Sequence, residues 1–261
     1  MKQKILFEIR EVTHPSTDTA LMKLSPIGCR LPEMQPGQFV NVLVPDVKEA
    51  FLRRPISICN VADGQLWLYI KNVGKGSAGL VAMKEGQTLD ILVPLGNGFN
   101  MPAPECKRPL LTGGGVGIAP LLYLGKVLKE NGFQPSFLLG ARSAGDFALL
   151  DEFYKLGDVA LTTDDGSRGV HGTVMAHPWM SAEAPYADAI FCCGPTPMMK
   201  AVGKFAVEQG IPCEVSLENH MACGIGACLC CVENTKSGHQ CVCSYGPVFN
   251  INELNWQPIK N

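Results

Sequence analysis

What this sequence lacks removes several classes of function at once. No apolar run reaches the length of a membrane-spanning helix. Met1-Lys2-Gln3-Lys4 leads into an alternating strand pattern rather than the apolar core of a secretory leader. Charged residues are only 18% of the chain, and the formal net charge of -2 leaves no basic excess for nucleic acid or an anionic membrane. There is no internal repeat and no low-complexity segment. What remains is a globular chain of 261 residues, 46% hydrophobic, long enough for one to two domains and a small appendage. Cysteine, by contrast, is abundant, with 12 residues. Without a secretory signal these read as reduced thiols and metal ligands rather than disulfides, and the expected compartment is the cytoplasm.

Part of that cysteine stands at a spacing with a chemical meaning. Cys223, Cys228 and Cys231 form C-x4-C-x2-C, and Cys243 follows just before Gly246-Pro247. This is the spacing of a plant-type [2Fe–2S] site. Such a cluster needs four thiolates, of which a tight loop delivers three. Gly224 and Gly226 let backbone N–H groups turn toward the sulfurs. The fourth thiolate returns on a hairpin through Lys236-Ser237-Gly238. A structural zinc site is the competing reading, but zinc knuckles come as paired C-x2-C, and only Cys228 and Cys231 make one. Cys230 and Cys241 are left over. Cys241 competes with Cys243 for the fourth place, and the Gly-Pro turn after Cys243 favours the latter. His220, beside the loop, reads as a structural hydrogen bonder or a tuning group.

The first hundred residues read as six short strands, at Gln3–Val12, Thr19–Leu24, Gln38–Val44, Pro55–Asn60, Gln65–Val73 and Thr88–Val93. They alternate, are rich in β-branched residues and are divided by Pro and Gly turns, which predicts a small antiparallel barrel. A helix near Ser77 to Met83 interrupts them. Arg53-Arg54-Pro55-Ile56-Ser57-Ile58 could bind a phosphate and a flat ring, or be an edge strand with solvated arginines. Gly74-Lys75-Gly76-Ser77 precedes the helix with Ser77 as its expected N-cap, either an anion site or an ordinary capped loop. Pro94-Leu95-Gly96-Asn97-Gly98-Phe99 closes the domain, and Met101-Pro102-Ala103-Pro104 reads as a linker.

The order Arg-x-x-Ser, Gly-x-Gly-Ser, Pro-Leu-Gly-x-Gly-Phe resembles the flavin domain of the ferredoxin–NADP reductase superfamily. The resemblance implies that Arg54, Pro55, Ile56 and Ser57 bind FAD, with Ile70, Lys71, Asn72, Gly76 and Ser77. Further on, Pro109–Thr112 is an apolar strand, Gly113-Gly114-Gly115-Val116-Gly117 a glycine loop and Leu121–Lys129 a helix. The glycines allow a tight turn and close approach to a pyrophosphate, although Pro120 stands where the last glycine of a dinucleotide fingerprint would be. Strands at Ser136–Ala141, Asp158–Thr163 and Asp188–Cys193 alternate with helices, which predicts a doubly wound parallel sheet. At strand ends, Arg142 and Ser143 could contact the adenosine ribose, and an arginine there could also read a 2′-phosphate, leaving NAD and NADP open. Cys193-Gly194-Pro195-Thr196-Pro197-Met198 resembles the nicotinamide-side loop of the same superfamily. That resemblance puts Cys193 near the nicotinamide; the plainer alternative is a small buried residue.

Taken together, Arg-Arg-Pro-Ile-Ser-Ile, Gly-Gly-Gly-x-Gly-Ile-Ala-Pro, Cys-Gly-Pro-x-Pro-Met-Met and Met-Ala-Cys-Gly-Ile-Gly-Ala-Cys, the last followed by Cys-x-x-Gly-Pro-Val-Phe, resemble one family over almost the whole length. It is the electron-transfer subunit of NAD-dependent (type B) dihydroorotate dehydrogenase. The resemblance implies an FAD-binding barrel at 1–101, an NAD-binding α/β domain at 102–212 and a [2Fe–2S] module at 213–261. It implies metal ligation by Cys223, Cys228, Cys231 and Cys243, and no catalytic acid or base. It also implies an FMN-containing catalytic partner, two of each chain, that oxidises dihydroorotate to orotate in pyrimidine (UMP) synthesis and sends electrons through this chain to NAD⁺. Ser244-Tyr245, in place of acidic residues, departs from the family pattern, as do Cys230 and Cys241. The alternatives are the equivalent subunit of a sulfide dehydrogenase or NADPH:ferredoxin oxidoreductase, a stand-alone NADH reductase and a zinc-bound interaction module. No segment is left for an organic-acid pocket or a second flavin. Met221, Ile225 and Leu229 are apolar enough for a partner surface, with local packing the plainer explanation.

Overall fold

Alternating side chains set the first domain. In β1 (Gln3–Thr13) residues Ile5, Phe7 and Ile9 are buried while Lys4, Leu6 and Glu8 lie on the other side. The computed structural model describes residues 2–45 and 47–256. β2 (Thr19–Pro26), β3 (Phe39–Val42), β4 (Arg54–Ala62), β5 (Gln65–Lys71) and β6 (Thr88–Leu95) join β1 in a closed antiparallel barrel, ordered β1-β2-β5-β4-β3-β6. Closure removes the free sheet edges. The helix α1 (Lys75–Val81) adds Leu80 and Val81 to the barrel core. One expectation is corrected here. The helix begins two residues before Ser77, with Gly74 at the N-cap. Ser77 Oγ instead accepts the Val73 N–H at 2.8 Å and donates to the Gly74 carbonyl at 3.0 Å, tying the preceding loop to the first turn.

The expected parallel sheet follows. β7 (Pro109–Gly114) leads through a single 3₁₀ turn into α2 (Ala119–Glu130). Then come β8 (Ser136–Ala141), α3 (Leu150–Leu156), β9 (Asp158–Thr163), β10 (Val170–His171), β11 (Ala189–Cys193), α4 (Thr196–Gln209) and β12 (Cys213–Ser216). β13 (Val232–Thr235), β14 (Gly238–Cys241), α5 (Val242–Tyr245) and β15 (Val248–Asn250) follow. The sheet order is β10-β9-β8-β7-β11-β12-β15, parallel except for β15 at the edge. Adjacent residues pack on opposite faces. Leu110, Leu138 and Ile190 meet Met199, Val202 and Phe205 of α4, whereas Leu111, Phe137, Leu139 and Phe191 meet Leu121, Leu124 and Phe153 of α2 and α3. The sheet therefore continues past residue 212, taking β12 and β15 from the segment expected to belong to the cluster module.

Between β12 and β15 lie a loop, the hairpin β13–β14, turning at Lys236-Ser237, and the short helix α5. Hydrogen bonds lock the three regions together. Tyr123 of α2 donates to the Met34 carbonyl at 3.0 Å and Lys126 to that of Val61 at 2.7 Å. The Asn100 N–H donates to Glu214 at 2.9 Å. Asn97 Nδ2 donates to the carbonyls of Ser244 and Tyr245 at 3.2 and 2.8 Å. Among the described residues no helix is long and apolar enough to cross a membrane.

Candidate functional site

The sheet reverses its winding between β7 and β11, and a cavity of about 670 Å³ opens at that point, beyond the carboxyl ends of the strands. Gly114, Gly115, Arg142, Pro195 and Met198 line it from the sheet domain; Ser16, Asp18, Thr19, Tyr69 and Lys71 line it from the barrel. Thr162 at the end of β9 also lines it, and its fully buried hydroxyl has no hydrogen-bond partner within the protein. An unpartnered buried hydroxyl in a cleft is what a polar ligand would satisfy. Asp18 accepts a 2.6 Å hydrogen bond from Ser16, which holds its carboxyl below the usual range against a weaker effect of burial, and Lys71 at 3.5 Å adds to this.

The glycine loop divides into two roles. Gly114 and Gly115 face the cavity. Gly113 packs on Ile118 and Leu121, and a Cβ on Gly117 would stand 2.5 Å from Gly194 Cα and 2.6 Å from the Cys193 carbonyl. Gly117 therefore serves the approach of two backbones rather than that of a ligand. Gly194 closes on Gly114 from the other loop. Cys193 is 1% exposed and does not line the cavity; burial pushes its thiol up, so it behaves as a packed residue with Pro195 and Met198 forming the wall. Arg142 is exposed at the rim, 4.0 Å from Asp146, and Ser143 N–H and Oγ both bond Asp146, at 3.0 and 2.9 Å. Asp164, at the strand end Thr163-Asp164-Asp165-Gly166 where the sequence places a ligand, lines the cavity, whereas Ser16, Asp18, Tyr69, Thr162 and Asp146 line it without any signal in the sequence. They come from separate segments, and no local motif marks them.

The flavin motif lies on β4. In the register with β3, Ser57 faces Phe39, Ile56 faces Val40, Pro55 faces Asn41 and Arg54 faces Val42. Arg54 Nη1 donates to the Leu52 carbonyl at 2.7 Å, and its guanidinium lies over Gly76, where any side chain would overlap it. Arg54 and the buried pair Gly76 and Ser77 are thus brought together from two elements. Ile70 is 1% exposed in the barrel core, so its side chain packs inward and is not offered to a ligand. Asn72 is exposed, and its N–H donates to the Asp18 carbonyl at 2.7 Å.

In the cysteine loop the backbone supplies hydrogen bonds to sulfur. Gly224 and Gly226 have φ of +70° and +90°, values that L side chains adopt only with strain. This turns the N–H groups of Ile225, Ala227 and Cys228 to Cys223 Sγ, at 3.5, 3.3 and 3.4 Å. Gly226 N–H points to Cys243 Sγ at 3.1 Å, and Cys243 N–H to Cys231 Sγ at 3.4 Å. Burial raises the Cys223 thiol, but the hydrogen bonds from Ile225 N–H, Cys228 and Ala227 N–H outweigh it and bring the thiol down to about 6, which favours thiolate. Cys243 is pushed up to about 12, by burial first and then by the neighbouring Cys231. Among the described residues no three His, Cys, Asp or Glu side chains converge as around a single ion. The thiols nevertheless act on one another, Cys228 helping to lower that of Cys223 and Cys231 helping to raise that of Cys243, a proximity that a shared cluster needs. Burial and then Cys231 also raise the Cys241 thiol, but the loop N–H of Gly226 is directed at Cys243. Cys230 is exposed and donates to the His220 carbonyl at 3.6 Å. The donor set and its N–H groups fit an iron–sulfur cluster.

Known proteins are similar to this chain on the same three regions. Residues 218–255 match a family profile described as the iron–sulfur cluster binding domain of dihydroorotate dehydrogenase B. A curated protein of Bacillus caldolyticus, the electron transfer subunit of dihydroorotate dehydrogenase B (NAD(+)), is 38% identical over 226 residues, 84% of this chain and 86% of its own length. The protein of the same description from Geobacillus sp. (strain WCH70) is 35% identical over 261 residues, 97% of this chain and 99% of its own. Among solved structures, that of an NADH-dependent reduced ferredoxin-NADP oxidoreductase, studied for flavin-based electron bifurcation, superposes with a TM-score of 0.85 at 32% identity, covering 98% of this chain and 92% of that one. The FAD/NAD binding domain of a nitric oxide dioxygenase from Vibrio cholerae O1 biovar El Tor has a TM-score of 0.70 at 21% identity, over 81% of this chain and 98% of that one, a likeness of fold.

Proposed function

Because the chain belongs to the family of electron transfer subunits of dihydroorotate dehydrogenase B (NAD(+)), we propose that it passes electrons from a catalytic dihydroorotate dehydrogenase subunit through a [2Fe–2S] cluster and FAD to NAD⁺. The observation that carries this reading is the contact between two of its sites. The cluster loop rests on β3, Asn41 Nδ2 donating to the Cys223 carbonyl at 3.2 Å, and β3 pairs with the flavin strand β4. FAD supplies the step between hydride chemistry at a nicotinamide and single-electron transfer at a cluster.

In this reading Cys223, Cys228, Cys231 and Cys243 hold the irons. Arg54 neutralises a flavin phosphate, Gly76 leaves room for that guanidinium, and Pro55, Ile56 and Ser57 lie along the ring, with the backbone of Ile70 to Asn72 beside it. Gly114, Gly115, Pro195 and Arg142 bound the NAD site, while Gly113, Gly117, Cys193 and Gly194 hold its walls together. No side chain acts as acid or base; the residues bind, orient and exclude water. The barrel, the sheet domain and the cluster segment act as the three units of the relay. The partner is an FMN-bearing catalytic chain, two copies of each form the complex, and it works in the cytoplasm in pyrimidine synthesis. Ile225 and Leu229, 47% and 66% exposed beside the cluster ligands, and Tyr245, 60% exposed, provide the apolar surface for that partner.

The NADH-dependent ferredoxin-NADP oxidoreductase likeness favours a second reading, the same modules with a ferredoxin as partner. One assay separates them. The isolated, cofactor-loaded chain should oxidise NADH with an artificial acceptor and leave dihydroorotate untouched. Adding an FMN-bearing dihydroorotate dehydrogenase subunit should produce NAD⁺ reduction by dihydroorotate, weakened by Ile225→Asp or Leu229→Asp. Coupling to a ferredoxin but not to that subunit would move the assignment to the second reading, and dihydroorotate oxidation by the chain alone would refute both.

A further inference from the structure

Pro94-Leu95-Gly96-Asn97-Gly98-Phe99 ends the barrel and reads in sequence as the segment that closes it. In the fold its contacts run to the cysteine segment. None of its residues lines the nucleotide cavity. Leu95 belongs to the apolar cluster that buries Cys231 and Cys243. Gly96 has a φ of +73°, and a Cβ on it would stand 2.6 Å from Pro247 and 2.7 Å from the Gly246 carbonyl, so two backbones touch there. Asn97 then serves three successive carbonyls of the facing turn. Its Nδ2 donates to those of Ser244 and Tyr245 at 3.2 and 2.8 Å, and its N–H to that of Gly246 at 2.7 Å. The barrel anchors this segment from both sides. Gln38 Nε2 donates to the Gly96 carbonyl at 2.9 Å, and the Phe99 N–H to the Pro36 carbonyl at 2.8 Å.

The facing turn carries a cluster ligand. Ser244 and Tyr245 end α5, a helix of four residues whose last carbonyls no helical N–H can reach. Cys243 lies within it, fully buried. Its Sγ accepts from the Gly226 N–H at 3.1 Å, and its own N–H points to Cys231 Sγ at 3.4 Å. The placement of α5 therefore sets both N–H···S contacts. The hairpin that brings Cys243 back has strands of only four residues each, too little to fix a helix by itself. We propose that Asn97 is a positioning residue for the cluster: a barrel amide that caps α5 from another domain and thereby holds Cys243 against Gly226 and Cys231. This rests on the cluster assignment of the preceding subsection.

The test uses the full chain loaded with FAD and iron–sulfur, as wild type, Asn97→Asp and Asn97→Ala. Aspartate keeps the shape but turns a carboxylate oxygen toward two carbonyls; alanine removes the side chain, and both keep the backbone bond to Gly246. Asn97 is exposed, so water replaces its lost partners and the chain should still fold. Should aspartate prevent folding, alanine decides. The readouts are the electron paramagnetic resonance spectrum and midpoint potential of the reduced cluster, iron retained against a chelator, FAD affinity and the thermal midpoint. In Asn97→Asp about tenfold less chelator should strip half of the iron, the spectrum should change, and the potential should fall as the N–H···S contacts loosen. Asn97→Ala should change in the same direction by less. FAD affinity should stay at the wild-type value in both, since the Asn97 side chain bonds nothing on β4 or α1. A wild-type spectrum, potential and chelator resistance in either folded variant would overturn the proposal. So would a loss of FAD affinity or thermal midpoint with an unaltered spectrum, because Asn97 would then support the barrel and not the ligand. A wild-type chain that takes up no iron–sulfur would instead overturn the functional reading beneath it.

Discussion

From Cys223 to Cys231 the cysteine loop takes its shape from its own backbone, with two left-handed glycines turning three of its N–H groups onto one sulfur. Only Cys243, brought back by the β13–β14 hairpin, comes from outside the loop. The nucleotide cavity is built the opposite way. Its lining runs from Ser16 to Ala201 and combines barrel residues with the ends of β7, β8 and β9 and the loop after β11. The first site is a local motif placed on a scaffold; the second exists only because two domains pack. Substitutions in the loop should therefore act through ligand chemistry, and those around the cavity through packing between loops.

The largest effect is expected in the loop. Changing Cys223, Cys228, Cys231 or Cys243 to serine should each abolish the cluster, because a harder oxygen ligand replaces a thiolate. Cys230→Ser and Cys241→Ser should retain it. Iron analysis and electron paramagnetic resonance on the six variants would check this, and loss in Cys241→Ser with retention in Cys243→Ser would exchange those two roles. Next comes the flavin cradle, intermediate between the two plans. Arg54→Ala removes a charge-assisted hydrogen bond worth about 1.5–3 kcal/mol and should weaken FAD binding at least about tenfold. Lys71→Ala should lose less, since Lys71 pairs with Asp18 at the cavity. Similar flavin content in the two variants would blur the line between cradle and cavity.

Two glycines of one loop sharpen the contrast further. Gly117→Ala forces a methyl against the Cys193–Gly194 backbone, an overpacking that should cost about 1–3 kcal/mol and lower the thermal midpoint by several degrees while raising the KM for NADH. Gly115→Ala meets no atom within 4 Å, and its φ of +58° leaves only the backbone penalty of about 1 kcal/mol. Equal losses would mean that the two loops do not need the close approach seen here. The smallest effect concerns acid. Asp188, at the foot of β11, opposes the effect of its partial burial by accepting from Lys107 N–H, Arg108 N–H and the Arg108 side chain, which together hold its carboxyl below the ordinary 3.8. Its folded value being depressed, the stability it contributes is complete above 3.8 and is lost as pH falls below that toward the folded value. The thermal midpoint of wild type should accordingly drop more steeply below about pH 4 than that of Asp188→Asn.

Much of this protein was readable from residue order alone. Alternation gave the six barrel strands to within a few residues, and apolar runs bounded by glycine gave β7, β8, β9 and β11, because strand periodicity is a local property of the chain. The cysteine spacing is local in the same sense: a short loop with glycines between thiols has few ways to fold around a cluster. Ser77 shows where local reasoning ends. It has the residue type of an N-cap, but the loop behind it needed its hydroxyl, and the helix started earlier at Gly74. Cys193 and Gly117 show the same limit for a motif. They stand in glycine-rich, ligand-like surroundings, yet tertiary packing turns them toward each other and leaves Gly114, Pro195 and Met198 on the wall. Nothing nearby in sequence announced that β12 and β15 would extend the sheet, that Ser16 and Asp18 would face Gly114, or that Asn41 would reach Cys223. Those are contacts between segments as far apart as residues 41 and 223. They are decided by how the barrel and the sheet bury their apolar faces against one another, a property of the packed molecule and of no single stretch.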